Sequence, residues 1–144
     1  MKAVYATGTN YDDPLSMLEV GDMSEPETKP FWSTIRVKSA SVNHHDVWSL
    51  QGVGLADEQT PMILGTDASG VLDEDIPVRK GLKGGAEVVL YTFVGTDGAG
   101  VMPGERRTIL SEKYAGTMAE TTQVPSANVF AKPANLTLDE AAAL

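Results

Sequence analysis

The chain has 144 residues, 42% of them hydrophobic and 22% charged, which suits one globular domain with a core of its own. Its 20 acidic and 11 basic side chains give a formal net charge of -9. The acids are spread along the chain, a surface that repels nucleic-acid phosphates and anionic membranes and keeps the protein in solution. There is no cysteine, which excludes disulfides, iron–sulfur clusters and thiolate-bound zinc.

The opening Met1-Lys2-Ala3-Val4-Tyr5 lacks the apolar core of a signal peptide. No stretch reaches the roughly 20 apolar residues of a membrane helix. The expected location is therefore the cytoplasm. Residues 2–6 read as a first strand, Tyr11-Asp12-Asp13-Pro14 as a turn and residues 15–20 as a second strand. Residues 21–31, with one glycine, two prolines and four charges, read as a loop. The clearest strand is 32–42, where Ile35 and Val37 alternate with Arg36 and Lys38. Asn43 is then placed to cap a short helical turn through Val47, Trp48 and Leu50, which Gly52 and Gly54 end.

Apolar residues 61–64 lead into Gly65-Thr66-Asp67 and a strand over 68–72. An acidic loop at 73–75 and a turn at Gly84-Gly85 come before 86–94, the most strand-prone run of the chain. Residues 95–113 are rich in glycine and charge and exceed an ordinary connection, a property of functional or mobile loops. Within them Glu105-Arg106-Arg107 reads as a solvated stretch. Strands at 116–124 and 129–130 follow, closed by Lys132-Pro133. Thr137, with Glu140 three residues on, then opens a helix with a capping box. Many short strands and almost no helix predict a mainly β fold, a barrel or sandwich. The last helix is barely begun at Leu144, too short to stand alone, so the sequence reads as a truncated protein.

In order and spacing, MKAVYATG, LEVGDMSEPE, IRVKSASVNHHDVWSLQG, PMILGTDASG, AEVVLYTFVG and GTMAETTQVPSANVFAKPANLTLDEAAAL resemble the medium-chain dehydrogenase/reductases. The resemblance covers nearly the whole chain. It implies a GroES-like, partly open β-barrel with a few short helices. Residues 1–136 are then the catalytic domain, and 137–144 start the helix leading into a Rossmann domain that the sequence does not contain. The G-x-G-x-x-G fingerprint is missing: Gly52-Val53-Gly54 and Gly98-Ala99-Gly100 lack the third glycine and read as loop glycines.

The family's zinc-dependent members use a cysteine where this chain has Asn43 and a histidine where it has Thr66. An amide and a hydroxyl are poor zinc ligands, and the structural-zinc loop, at about 95–113 here, has no cysteine. The resemblance therefore implies the zinc-lacking branch, with its quinone and enone reductases, and no metal site. A rival metal set of His44, His45, Asp46 and Asp67 matches no standard ligand spacing.

By resemblance, Asn43, His44, Asp46 and Thr66 are the candidate catalytic group, gathered on one concave face. His44 and His45 could contact a nicotinamide cofactor, NADH or NADPH, or relay a proton. Trp48 and Tyr91 are candidate pocket walls. Each has a plainer alternative. Asn43 simply caps a turn, Asp46 orients Arg36 or a backbone N–H, and His44 lies on the surface. Trp48 belongs to the core, and Thr66-Asp67 makes a turn. Two functions stay open: the substrate-side domain of an oxidoreductase acting on a small alcohol, carbonyl or quinone, or a non-catalytic GroES-like interaction module. In either case the isolated chain is expected to be inactive, to bind neither nucleotide nor nucleic acid nor membrane, and to self-associate weakly at most.

Overall fold

The computed structural model describes residues 1–77, 81–95 and 107–144. The calls of function or turn at 96–106, including Gly98-Ala99-Gly100, Glu105 and Arg106, lie outside the described residues. The strands are β1 (Lys2–Ala6), β2 (Leu18–Asp22), β3 (Trp32–Ala40), β4 (Met62–Ile63), β5 (Ala68–Leu72), β6 (Glu87–Leu90), β7 (Phe93–Val94), β8 (Thr108–Ile109), β9 (Thr121–Pro125) and β10 (Val129–Ala131). The helices are α1 (His44–Leu50) and α2 (Leu138–Ala141).

β3 is the spine. Its Ile35 is wholly buried and Arg36 exposed, as the alternation requires. It pairs antiparallel with β5 on one side and β9 on the other, in a sheet ordered β10-β6-β5-β3-β9. The register shifts between Val37 and Ser39 where β3 faces β5, and such an irregularity bends a strand and increases its twist. A second sheet runs β2-β1-β4, and β7 pairs with β8. Residues 116–120 join the two larger sheets: Val4 N–H donates to Met118 O (2.8 Å) and Val37 N–H to Glu120 O (3.0 Å). The result is the expected mainly β, GroES-like partial barrel. Ile35, Leu72, Val88, Leu110, Val124 and Val129 fill its main core. Ala6, Leu50, Leu55, Met62 and Leu64 form a second cluster under α1.

The expected second strand is displaced. Pro14–Met17 forms a 3-10 turn, and β2 starts only at Leu18. Proline opens such a turn readily because its fixed φ suits the first helical position. Likewise 86–94 is not one strand. β6 ends at Leu90, and beyond it the Asn128 side chain takes over, its Nδ2 donating to the carbonyls of Tyr91 (2.9 Å) and Phe93 (2.7 Å). Of the run 116–124, only the part from Thr121 pairs as a regular strand.

The C-terminal capping box forms as the sequence predicts. Glu140 N–H donates to Thr137 Oγ1 (3.2 Å), and Thr137 N–H donates to Glu140 Oε2 (2.9 Å). The short helix is not left to stand alone. Ala141 and Ala142 are buried, and Ser69 Oγ on β5 donates to Leu138 O (2.5 Å). Lys132 Nζ, itself mostly buried, donates to the carbonyls of Leu136 and Pro133 and lies 3.3 Å from Glu87 Oε2.

The Thr137 backbone N–H, and then its hydroxyl, hold the Glu140 carboxyl below its ordinary value of 4.5. A carboxyl depressed in the folded state adds stability above its unfolded pKa and loses it as pH falls through the folded value. Glu140→Gln should therefore melt below the parent at pH 7, and the gap should close as pH falls through the carboxyl's folded value. Thermal melts across pH 7 to 3 test this, and a gap that widens in acid contradicts it.

Candidate functional site

Asn43 lies three residues beyond β3 and directly before α1, with extended backbone at φ -123°. Its carbonyl accepts Asp46 N–H (3.0 Å), but its side chain makes no capping bond. Asn43 is thus the N-cap of α1, as the capping alternative expects, through its main chain rather than its amide. The amide instead crosses to the next loop, where Nδ2 donates to Thr66 Oγ1 (3.0 Å) and Asp67 Oδ2 (2.6 Å). Thr66 Oγ1 in turn donates to the same Asp67 oxygen (2.9 Å). Asn43, Thr66 and Asp67 thus form a closed hydrogen-bonded triangle, so Thr66-Asp67 is more than a turn.

Asp46 is 5% exposed and orients this triangle from beneath. Its Oδ2 accepts Asn43 N–H (2.7 Å) and its Oδ1 accepts Gly65 N–H (2.9 Å). One carboxylate so ties together the two loops that carry Asn43 and Thr66, with charge-assisted bonds that are shorter and stronger than neutral ones. The alternative of Asp46 holding a backbone N–H is correct. Its pairing with Arg36 is not: Arg36 Nε reaches Asp73 Oδ1 instead (2.7 Å).

The two histidines diverge, as neighbours on a helix must. His44 is exposed and stacks on Trp48 one turn later, with ring centroids 6.2 Å apart. Trp48 is 51% exposed, which corrects its assignment to the core, since α1 buries Asp46, Ser49 and Leu50 on its other side. Tyr91 is also exposed and pairs with Phe93 (centroids 5.9 Å). His45 turns toward Glu112, with Nε2 3.4 Å from Oε1, while Nδ1 lies 3.4 Å from Ser111 Oγ and 3.5 Å from Ser49 Oγ. The sequence reading passed over Glu112, which lies in a charge-rich segment without pattern. Its clearest trace is Gly54: φ there is +82°, and a Cβ would lie 2.5 Å from Glu112 Oε1.

Among the described residues, no group of three or more His, Cys, Asp or Glu side chains could hold a metal ion. The two positions that the resemblance equates with metal ligands carry an amide whose NH2 points into the cluster and a hydroxyl bonded to it. Neither is a good donor to zinc.

Residues 29–134 match the family model described as the alcohol dehydrogenase GroES-like domain. The chain belongs to this family. It is similar to the crystal structure of an NAD-dependent alcohol dehydrogenase, with 36% identity, a TM-score of 0.85, and coverage of 100% of this chain and 43% of that one. It is also similar to a cobalt- and zinc-bound thermostable alcohol dehydrogenase from Pyrobaculum aerophilum, with 28% identity, a TM-score of 0.81, and coverage of 100% and 44%. The quinone oxidoreductase from Coxiella burnetii shares the fold, with 22% identity, a TM-score of 0.73, and coverage of 100% and 40%. A comparison with curated proteins gave no match. This GroES-like domain spans less than half the length of these solved structures.

Proposed function

We propose that this GroES-like domain is the substrate side of a nicotinamide-dependent oxidoreductase acting on a small alcohol, carbonyl or quinone. In this reading residues 1–136 form the catalytic barrel, and 137–144 lead toward a nucleotide-binding domain in cis. NADH or NADPH, held by that domain, supplies or accepts the hydride. Asn43, Thr66 and Asp67 form the polar cluster beside the reacting oxygen, and Asp46 fixes the two loops that carry them. His44 and Trp48 form an exposed rim beside the site, and Tyr91 supplies an apolar wall further round.

The observation that carries this reading is the Asn43–Thr66 hydrogen bond at 3.0 Å, which joins the two positions equivalent to zinc ligands. It supports a polar site that works without zinc, by positioning and hydrogen bonding. His45 is committed to Glu112 and the two serines, so it serves as a brace for α1 rather than a cofactor contact in this proposal.

The test uses the whole protein and the 144-residue chain side by side. The whole protein should interconvert small alcohols and carbonyls with NADH or NADPH and retain well under one zinc per chain after dialysis. The chain alone should show no turnover. It should also show no nucleotide affinity in the low micromolar range, about -8 kcal/mol, because its sequence holds no G-x-G-x-x-G turn of the kind that cradles a pyrophosphate. Activity that needs stoichiometric zinc, or tight nucleotide binding by the chain alone, would overturn the proposal.

A further inference from the structure

We infer that Asp67 is the proton carrier of this site, exchanging a proton with the hydroxyl or carbonyl oxygen of the substrate at its Oδ1 atom. The inference rests on the proposed oxidoreductase reading and deepens it. The argument starts from what the other ionisable groups are doing. Asp46 is buried, with each oxygen held by a backbone N–H group, so it does not face a substrate. His45 is engaged by Glu112, Ser111 and Ser49. His44 stacks on Trp48 on the exposed side of α1.

Asp67 differs from all three. Both of its donors, Asn43 Nδ2 and Thr66 Oγ1, bind one oxygen, Oδ2. Among the described residues nothing donates to Oδ1, and that atom is not among the buried polar atoms left without a partner. It is therefore reachable. No lysine, arginine or histidine pairs with Asp67 among the described residues. The elements against it present neutral groups: Asn43 and Thr66 bind the side chain, and Ser41 N–H and Thr117 Oγ1 bind its carbonyl. Asp46 is the other acid of the cluster.

The arrangement fixes a carboxylate by one oxygen and leaves the second free, as a general base requires. When an alcohol is oxidised, its O–H bond breaks and the proton passes to Oδ1, turning the carboxylate into a carboxylic acid. The electron pair of the carbinol C–H bond leaves as hydride for the nicotinamide. In the reverse direction Asp67 begins as the acid and returns its proton to the oxygen. Asn43 and Thr66 act as positioning residues that set the plane of the carboxylate.

Two measurements test this. In the whole protein, Asp67→Asn, which keeps the shape and the fold as judged by circular dichroism, should lower kcat about a hundredfold. KM should stay within a few-fold. In the chain alone, the probe is trifluoroethanol. It should shift the NMR signals of Thr66 and the Asp67 carboxyl saturably in the parent and not in Asp67→Asn. A parent that is active with an equally active Asp67→Asn overturns the inference and leaves the oxidoreductase reading standing. A parent protein inactive on every small alcohol and carbonyl sinks that reading, and the trifluoroethanol shifts then decide Asp67: their absence overturns it.

Discussion

Gly116→Ala should destabilise the domain by about 3 kcal/mol, the upper end of the cost of overpacking, and lower Tm by on the order of 10 °C. A Cβ at Gly116 would overlap the main chain of Leu64 and Gly65, and main chain cannot swing aside as a long side chain can. The contact is so close because residues 116–118 run against 63–67. Gly116 N–H donates to Ile63 O (2.8 Å), Met118 N–H to Leu64 O (2.9 Å), and Thr117 N–H to Gly65 O (3.1 Å). Gly65 meets this segment from the other side with φ +93°, where an alanine Cβ would lie 2.5 Å from Thr117 Oγ1. Thr66 and Asp67 come directly after it. The strain of Gly116→Ala should therefore be felt at the site, and Asn43 and Thr66 should show the largest NMR shifts outside the mutated segment. A variant that melts within about 3 °C of the parent would mean that the strands separate more easily than this packing allows.

Gly116 also shows why some of the fold was legible in the sequence and some was not. The spine was plain because Ile35 and Val37 alternate with Arg36 and Lys38 over a span long enough to fix a period. The final helix was plain because Thr137 and Glu140 signal their own geometry within four residues. Gly116, in contrast, is one of 14 glycines in the chain. Its role comes from a strand about fifty residues away, and no local pattern records that. The break at Tyr91 was missed for the same reason. Hydrogen bonds from the Asn128 side chain to the Tyr91 and Phe93 carbonyls override a run whose local preference is all strand.

The site was half legible. Asn43, Asp46 and Thr66 were found because an ordered run of motifs resembles a family, and the structure brings the three together. Their partners were assigned less well. Asp46 could be read as an orienting acid but not as the link between two loops, since Gly65 lies 19 residues on. Trp48 was drawn into the core by its size, although helical spacing from His44 puts both rings on the outer face. Asp67 was read as part of a turn. Its neighbour Thr66 and the distant Asn43 amide are what make it a carboxylate with one oxygen held and one free.

Asp46→Ala should cost about 3 kcal/mol or more, because it leaves two N–H groups without their acceptor at a site that water barely reaches. Those groups belong to Asn43 and Gly65, which stand on different loops. The loss is therefore both energetic and geometric. Asp46 also sits in the first turn of α1, where a negative charge is favoured by the helix dipole, a smaller contribution of about 0.5 kcal/mol. Asp46→Asn separates these contributions. Its single carbonyl oxygen can accept one N–H, and its NH2 cannot accept the other. The asparagine variant should therefore lose roughly half as much as the alanine variant. Denaturant unfolding measures both, provided the slope stays that of the parent. Hydrogen exchange locates the effect: the Gly65 and Asn43 amides should lose protection first, while those of Ile35 and Val124 stay protected. Equal stability in all three proteins would show that Asp46 does not hold the loops together, and that the Asn43–Thr66 bond sustains itself.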